Sequence, residues 1–405
     1  MGRFLLGYSS DFEYWQAEIL GLFAEAPKAI LFASLLAFSL SLFATLLLGR
    51  PTISWLRAKR LRDGTARKAS ETLNDLNSGK EDIPTMGGLF MVVGIVFVTL
   101  VMFLLVPVTF RFTATIIIAI IGAAVIGAYD DWLKLNRKVD ATGKRVDGMK
   151  GRVKLIAQIA LFTFCVWMVQ SSLPEQSLVL WVPFFEAGLD LGWLALPIGV
   201  FVCVGTCNAV NLADGLDGLA SGMTAMVVAA FAVVGYLMVD AQTYGESLQL
   251  HLVSTTILAA IVAGSCLGFL FYNRHPAKVF MGDTGSLALG AALGMIAVSM
   301  RLEILLAIAG AVLVAEALSV IIQVAYFKLS GGKRIFLCSP LHHHFQFLGW
   351  PERKVTRRFW AACAICCLIA IALVGLSYPN DAAQRNMAED KTPTPITDDD
   401  ISVSR

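Results

Sequence analysis

Long apolar stretches alternate with shorter polar segments along most of this chain, and their spacing is that of a protein crossing a membrane many times. A membrane-spanning helix needs about 20 predominantly apolar residues. Ten stretches approach or exceed that length, and the eighth is short and rich in glycine. The predicted spans are 28–49, 85–107, 112–128, 155–171, 193–209, 219–239, 252–272, 285–300, 304–327 and 359–378.

The composition supports the same fold class. The chain is 57% hydrophobic and 15% charged, with a mean hydropathy of +0.70, which excludes an ordinary soluble domain. We therefore predict an all-α, polytopic membrane protein in which residues 28–378 form a single ten-helix domain. Residues 1–27 are aromatic and mixed in character, which favours an interfacial segment. Residues 379–405 are polar and acidic, which predicts a disordered tail.

Lysine and arginine are distributed unequally between the two sides of the predicted bundle. The segments that follow the odd-numbered spans hold 25 of the 32 lysine and arginine residues. Because basic loops are retained in the cytoplasm, these segments are predicted to be cytoplasmic and both termini to be periplasmic. The net charge is only +2, and topology together with anionic lipid headgroups accounts for the basic loops without a nucleic-acid partner.

Polar residues that could perform chemistry are concentrated on that same side. Because the spans contribute almost no ionisable groups, aspartate, asparagine, lysine and histidine side chains gathered on one face indicate a site there. Five stretches carry these residues, namely 79–88, 129–131, 208–218, 273–285 and 339–345.

Carboxylates are the first of these groups. Asp130 and Asp131 end the third span, where an interfacial cap and a functional pair are both consistent with the sequence. Asn211, Asp214 and Asp217 step by three, so on a helix they would share one face. A helix end that only needs a cap does not require so many polar residues, which favours a functional role for this stretch.

Two further stretches complete the predicted site. Asp283 directly precedes the short eighth span, close to hydrocarbon depth, where an ionisable group is a functional candidate. His342, His343 and His344 follow the ninth span among basic residues. They lack the spacing of a zinc site, and imidazole rings can donate to phosphate oxygens, so the run favours an anion over a metal. A solvated surface run is the alternative interpretation.

The chemistry of this set is that of phosphate transfer. Oxygen ligands without thiolates suit Mg²⁺ or Mn²⁺ better than zinc, and the eight cysteines show no spacing typical of a metal site or a disulfide framework. A divalent cation together with Lys80 and histidines is equipped to bind a diphosphate. A water-soluble phosphate donor would arrive from the cytosol and a lipid phosphate from the bilayer. The pattern therefore predicts phosphoryl-group transfer to a lipid carrier.

At these residues the chain resembles the polyprenyl-phosphate N-acetylhexosamine-1-phosphate transferases of glycosyltransferase family 4. The resemblance covers residues 28–378, the predicted transferase domain, and leaves out both terminal segments. Five motifs carry it in order: Pro84-Thr-Met-Gly-Gly88, Asp130-Asp131, Asn208-Ala-Val-Asn-Leu-Ala-Asp-Gly-Leu-Asp-Gly218, Val279-Phe-Met-Gly-Asp-Thr-Gly-Ser286 and Pro340-Leu-His-His-His-Phe345.

The last motif is similar to that of muramoyl-type members, and this resemblance implies a specific reaction. Phospho-N-acetylmuramoyl-pentapeptide would pass from its UDP-activated form to undecaprenyl phosphate, giving lipid I (undecaprenyl-diphospho-N-acetylmuramoyl-pentapeptide) and UMP. This is the first membrane step of peptidoglycan synthesis. The resemblance also implies Mg²⁺ dependence with Mn²⁺ as a substitute, homodimers, and residence in the bacterial inner membrane with a cytoplasmic active site.

The same resemblance implies roles for individual residues. Asp283 would be the Mg²⁺ ligand, and Asp130 and Asp131 would lie near the reacting phosphates, with the question of a general base left open. The implied catalytic positions are Lys80, Asp130, Asp131, Asp283, His342 and His343. The implied substrate-binding positions are Asn208, Asn211, Asp214, Asp217, Asn273, Phe280, Gln323 and His344.

Two other functions are compatible with parts of the pattern. A sister transferase that passes N-acetylglucosamine-1-phosphate to the same lipid would share the aspartate motifs, and the Pro-Leu-His-His-His-Phe loop is the feature that disfavours it. A transporter or lipid flippase would place acids and interrupted helices near the midplane. The predicted spans are almost wholly apolar at mid-depth and the acids lie at one edge, which disfavours transport.

Overall fold

The computed structural model of the protein describes residues 27–61, 80, 82–106, 110–136, 148–172, 179–240 and 246–377. The predicted interfacial segment 1–27, apart from its last residue, and the predicted tail 379–405 lie outside these residues. Both assignments therefore stay predictions.

Helices make up most of the described chain, and ten of them are long and apolar enough to cross a membrane. The protein is an all-α, multi-pass membrane protein, so the predicted fold class is confirmed. The helices are α1 (Pro27–Ala58), α2 (Gly88–Leu105), α3 (Phe110–Leu135), α4 (Gly151–Gln170), α5 (Ala195–Ala213), α6 (Leu219–Asp240), α7 (Glu246–Asn273), α8 (Gly282–Met300), α9 (Glu303–Ala309), α10 (Ala311–Leu329), α11 (Leu341–Phe347) and α12 (Glu352–Ser377).

Helices α7 and α8 form the centre of the bundle. The most apolar stretch of each is 94% buried inside the protein, against 28% for α1 and 22% for α10. In α8, a Cβ added to Gly290 would come within 2.5 Å of the Cα of Cys207 in α5. Small residues allow helices to approach this closely in a bilayer. The short, glycine-rich eighth span therefore packs closely against α5 at the centre of the bundle.

The ninth predicted span is not one continuous helix. The apolar pattern predicted a single span over 304–327, but α9 ends at Ala309 and α10 begins at Ala311. Gly310 separates them with non-helical backbone angles (φ −91°, ψ 17°), and glycine has a low helix propensity. The predicted span therefore contains a break near its start, which its apolar pattern does not reveal because hydropathy reports the length of an apolar stretch and not a local break within it.

A two-stranded antiparallel hairpin lies between α4 and α5, and the sequence analysis did not predict it. Strands β1 (Val179–Val182) and β2 (Phe185–Asp190) pair Leu180 with Leu189. The N–H of Trp181 donates to the carbonyl of Arg301, which attaches the hairpin to the turn after α8. Strands this short do not change a hydropathy pattern that is averaged over about 19 residues.

The end of the bundle opposite this hairpin gathers the polar stretches. Helices α3 and α5 end there, and α4, α8 and α12 begin there. The alternating directions of successive spans bring these five helix ends together, although the segments are far apart in sequence. This end of the bundle holds the candidate site.

Candidate active site

Asp131 caps helix α8. Its carboxylate accepts hydrogen bonds from the backbone N–H groups of Asp283 at 3.0 Å and Thr284 at 2.9 Å, and from the Thr284 hydroxyl at 2.7 Å. The first N–H groups of a helix have no partner within the helix, so a carboxylate from another helix stabilises them. The side chain of Asp131 therefore holds the end of α3 against the start of α8 and fixes the position of Asp283.

Beside this cap, four charged side chains meet in the Asp283 cluster, which consists of Asp130, Lys134, Lys154 and Asp283. The Nζ of Lys134 lies 3.0 Å from Asp283 Oδ1 and 3.2 Å from Asp130 Oδ2. The Nζ of Lys154 lies 2.5 Å from Asp283 Oδ2 and 3.3 Å from Asp130 Oδ2. The two carboxylates thus share the same two ammonium groups, which come from α3 and α4.

Two further contacts hold the carboxylates of the Asp283 cluster in place. The N–H of Met149 donates to Asp130 Oδ1 at 2.6 Å. The amide of Asn211 donates to Asp283 Oδ1 at 3.1 Å and to the Ser286 hydroxyl at 2.8 Å. The cluster is therefore assembled from α3, α4, α5 and α8, and from the residues that precede α4.

The three residues that step by three in the sequence do not share a helix face. Helix α5 ends at Ala213, and Asp214 has non-helical backbone angles (φ −82°, ψ 49°). Gly218 has a φ of +74°, which glycine adopts without strain. The prediction of one helical face is wrong because the chain turns at these residues. Asn211 stays beside Asp283, whereas Asp217 is carried into a second cluster.

Asp214 lies where several carboxylates are close together. Burial raises the pKa of Asp214 to about 8, and repulsion from Asp283, Asp131 and Asp217 acts in the same direction, while attraction to Lys134 opposes it. A carboxylate in such surroundings favours its neutral form unless a cation offsets the repulsion. This turn is therefore suited to binding a positive charge.

The second group of charges is the Lys80 cluster, which consists of Lys80, Asp217, His275 and Glu352. The Nζ of Lys80 donates to Asp217 Oδ1 at 2.7 Å and to the two Glu352 oxygens at 2.7 and 2.8 Å. The Nδ1 of His275 lies 3.0 Å from Asp217 Oδ2. Ligand atoms of Asp217, His275 and Glu352 lie within 4.8 Å of one another, as in a cation site, and the cation bonded to the two carboxylates here is the Lys80 ammonium.

Asn273 and Phe280 lie beside the Lys80 cluster. The buried side chain of Asn273 accepts a hydrogen bond from the N–H of Gly218 at 3.1 Å and donates to the carbonyl of Val279 at 3.0 Å. The Nζ of Lys80 lies 6.0 Å from the centroid of the Phe280 ring. Asn273 thus joins the turn after α5 to the chain before α8, and Phe280 places an aromatic ring next to the lysine.

His342 is buried against an acid that the sequence analysis did not identify. Its Nδ1 lies 3.1 Å from Glu316 Oε1, and both side chains are 0% exposed. A Cβ on Gly215 would come within 2.2 Å of His342 Nε2, so only glycine leaves room for the ring. His343 Nδ1 lies 2.7 Å from Gln346 Oε1. Glu316 is inside the ninth predicted span, which the sequence analysis treated as apolar at mid-depth.

Three further predicted substrate-binding residues also make contacts within the protein. Gln323 bonds through both ends of its amide to the backbone of the loop that precedes α11. His344 Nδ1 accepts the N–H of Leu337 at 3.2 Å. Asn208 donates to Gln158 Oε1 at 2.8 Å, between α5 and α4. Their roles toward a substrate stay predictions, and these contacts show how each side chain is oriented.

Several members of the two clusters were absent from the predicted site. Lys134 follows Asp130 by four residues, a spacing that pairs side chains on one helix, so the sequence contains a usable signal for it. Lys154 and Glu352 lie outside the five polar stretches and have ordinary local sequences, whereas His275 lies within the 273–285 stretch, two residues after Asn273, but was not among the predicted site residues. Only the tertiary contact with a predicted site residue distinguishes them from surface charges.

Comparison with known proteins identifies the family. The model of the glycosyl transferase family 4 matches residues 113–301. The phospho-N-acetylmuramoyl-pentapeptide-transferase of Thermodesulfovibrio yellowstonii is 40% identical over 354 residues, 86% of this chain and 94% of the relative. The protein of the same name from Heliobacterium modesticaldum is 41% identical over 340 residues, 83% of this chain and 96% of the relative. The chain belongs to the phospho-N-acetylmuramoyl-pentapeptide-transferase family, within glycosyl transferase family 4.

Proposed function

We propose that this protein transfers phospho-N-acetylmuramoyl-pentapeptide from its UDP-linked form to undecaprenyl phosphate, producing lipid I and UMP. The observation that carries the proposal is the Asp283 cluster, in which two carboxylates share two lysines at one end of an apolar bundle. An enzyme that joins two anionic phosphates needs fixed cations beside the reacting groups. The activity named for the relatives supports the muramoyl-pentapeptide donor.

The proposal includes a location. The site faces the cytoplasm from the bacterial inner membrane, with both termini on the periplasmic side. The strong excess of lysine and arginine in the segments after odd-numbered spans supports this orientation. A homodimer is part of the same proposal and is supported by the family resemblance.

Mg²⁺ is the proposed cofactor, with Mn²⁺ as a substitute. Asp283, Asp214 and Asn211 present oxygen atoms of the kind that these cations prefer. The raised pKa of Asp214 supports the fit, because repulsion among neighbouring carboxylates would be offset by a divalent cation. When bound, Mg²⁺ would stabilise the negative charge that develops on the donor diphosphate.

The residues of the Asp283 cluster have distinct tasks in this proposal. Lys134 and Lys154 exchange part of their contact with the carboxylates for contact with phosphate oxygens. The second pKa of a phosphate monoester is about 6, so the attacking lipid phosphate is mostly a dianion at cytosolic pH. A general base would therefore accelerate the reaction little, because most of the lipid phosphate has already lost its last proton. Asp130, held by the N–H of Met149, therefore positions the lysines and is not an obligatory proton acceptor.

The Lys80 cluster is the proposed donor side of the cleft. Lys80 carries the charge that a diphosphate requires, and the Phe280 ring beside it offers a flat apolar surface to a nucleotide base. Asp217 and Asn273 hold the turn after α5 in place through backbone contacts. His342 is enclosed and acts through the turn at Gly215, against which its ring packs.

The test uses purified protein in detergent with undecaprenyl phosphate and one of two donors. UMP release is expected from UDP-N-acetylmuramoyl-pentapeptide and only when the lipid is present. Release from UDP-N-acetylglucosamine instead would favour the sister transferase. If neither donor yields UMP while the protein shows a cooperative thermal unfolding transition, the proposed function is wrong.

A further inference from the structure

The ammonium group of Lys80 has no hydrogen left for a substrate in this structure. A lysine ammonium has three N–H donors. Its three short contacts are to Asp217 Oδ1 at 2.7 Å, Glu352 Oε1 at 2.7 Å and Glu352 Oε2 at 2.8 Å. A phosphate oxygen can therefore bind Lys80 only by displacing one of these two carboxylates.

Asp217 is the less displaceable of the two. Its other oxygen accepts the N–H of Ala277 at 3.0 Å and lies 3.0 Å from His275 Nδ1. Its side chain is 1% exposed, whereas that of Glu352 is 13% exposed. Displacing Asp217 would leave a buried carboxylate and a backbone N–H without their partners, which is costly.

Glu352 is better placed to move. It is the first residue of α12, and its carboxylate also accepts the N–H of Asp217 at 2.7 Å. The same carboxylate lies 3.6 Å from His275 Nδ1. A small rotation of the side chain can therefore release Lys80 while two other donors remain within reach of its oxygens.

From this geometry we propose that Glu352 competes with the donor for Lys80: in the substrate-free protein it occupies the place on the ammonium that a phosphate oxygen of a uridine diphosphate sugar takes over. This inference rests on the proposed function, since it assumes that Lys80 binds the donor. Asp217 remains bonded to Lys80 during the exchange and keeps the ammonium in position. Glu352 is thus a residue that sets donor affinity without contacting the reacting atoms.

Competition predicts that a substitution in the binding site increases the affinity for the donor, where a loss of affinity is usual. Removing the Glu352 charge should strengthen donor binding, because Lys80 no longer has to be released first. Glu352→Gln preserves the shape and can still accept the Asp217 N–H through its amide oxygen. If Glu352 is bonded to Lys80 in most wild-type molecules, only the small remaining fraction is ready to bind the donor. Removing the competition lowers the apparent dissociation constant by the reciprocal of that fraction, here about three- to tenfold.

The experiment measures the affinity of purified protein for UDP-N-acetylmuramoyl-pentapeptide by calorimetry in detergent with Mg²⁺ present. Glu352→Gln is expected to bind more tightly than wild type, and Glu352→Asp, which reaches less far, should give a smaller gain. In a Lys80→Ala background the same substitution should have no effect on affinity. Asp190→Asn in β2, an exposed carboxyl at the opposite end of the bundle, is the matched control and should bind as wild type does.

The outcomes separate this inference from the function on which it rests. Unchanged or weaker binding by both Glu352 variants, with wild type binding normally, overturns the competition and leaves the proposed function intact. A gain that persists without Lys80 also overturns it, since the effect would then be general charge repulsion. Absence of donor binding by folded wild-type protein contradicts the proposed function itself and removes the basis for both.

Discussion

The carboxylate of Asp131 is bonded to the backbone of Asp283 and not to its side chain. Asp131 Oδ1 accepts the N–H of Asp283 at 3.0 Å, while the carboxylate of Asp283 is directed to Lys134 and Lys154. Asp130, the immediate neighbour of Asp131, shares the same two lysines with Asp283. Two adjacent aspartates therefore have different tasks: one caps a helix, and the other belongs to the charged cluster.

This division predicts different consequences for the two aspartates. Asp131→Ala removes the cap of α8 and should lower the free energy of unfolding by about 1–2 kcal/mol, the usual cost of losing a helix cap. Asp130→Asn keeps the shape of its side chain and should leave the thermal unfolding temperature close to wild type. Thermal unfolding of both variants in detergent is the measurement. Equal losses of stability would contradict the assignment of the cap to Asp131.

Asp283 is predicted to be essential for turnover but not for folding. Asp283→Asn removes the charge that Lys134 and Lys154 share with Asp130, and removes a proposed Mg²⁺ ligand. We expect UMP release to fall by at least about 100-fold, a loss typical of a group that stabilises transition-state charge. EDTA should have a comparable effect on wild type. Normal turnover in EDTA, or by Asp283→Asn, would show that no divalent cation acts at this residue.

The raised pKa of Asp214 predicts that the stability of the protein depends on pH and that a divalent cation suppresses this dependence. The pKa of Asp214 is raised from 3.8 to about 8 in the folded protein, so its contribution to stability is fully present below about pH 4 and is lost progressively until the pH has risen through about 8. In EDTA, the unfolding temperature of wild type should therefore fall more steeply between about pH 4 and pH 8 than that of Asp214→Asn.

Mg²⁺ should reduce this difference, because a cation stabilises the ionised carboxylate. The control is the same pair of proteins in EDTA and in Mg²⁺ at each pH. Parallel curves for wild type and Asp214→Asn under both conditions would mean that Asp214 does not titrate in this range.

The pH dependence of turnover tests whether Asp130 is a general base. If the lipid phosphate is the group whose ionisation limits the rate at low pH, Asp130→Asn should be slower than wild type but keep the low-pH limb of its profile. The apparent pKa of that limb, about 6, would then belong to the lipid phosphate. The measurement is the pH–rate profile at saturating lipid. Loss of that limb, together with recovery of rate on adding small-molecule bases, would identify Asp130 as the base.

The proposed orientation can be tested by labelling from outside the cell. Phe184 in the hairpin turn is 78% exposed, and Lys333 is exposed at the opposite end of the bundle. Phe184→Cys should react with a membrane-impermeant maleimide in intact spheroplasts, and Lys333→Cys only after lysis. Cys338 and Cys366 are the partly exposed native cysteines and should first be replaced by serine. The reverse labelling pattern would invert the topology and place the site outside.

Much of the architecture follows from the sequence because membrane insertion imposes local rules. Each span must be long and apolar on its own, and the number of spans can therefore be read without knowing their neighbours. The same rules bring the Asp130, Asp283 and Asn211 segments to one end of the bundle, since successive spans alternate in direction. The motifs that carry the family resemblance also lie within single segments, which is why the resemblance agrees with the family shown by the relatives.

Tertiary structure alone decided how these segments share their charges. Nothing in the sequence separates Asp130 from Asp131, and the difference arises because the start of α8 lies against only one of them. Asp217 leaves the face of Asn211 because helix α5 ends at Ala213 and the backbone turns from Asp214 onwards. It then meets Lys80 and Glu352 from two distant segments. Hydrophobicity is a property of each stretch by itself, whereas an ion pair depends on a distance between stretches, and only the packed bundle sets that distance.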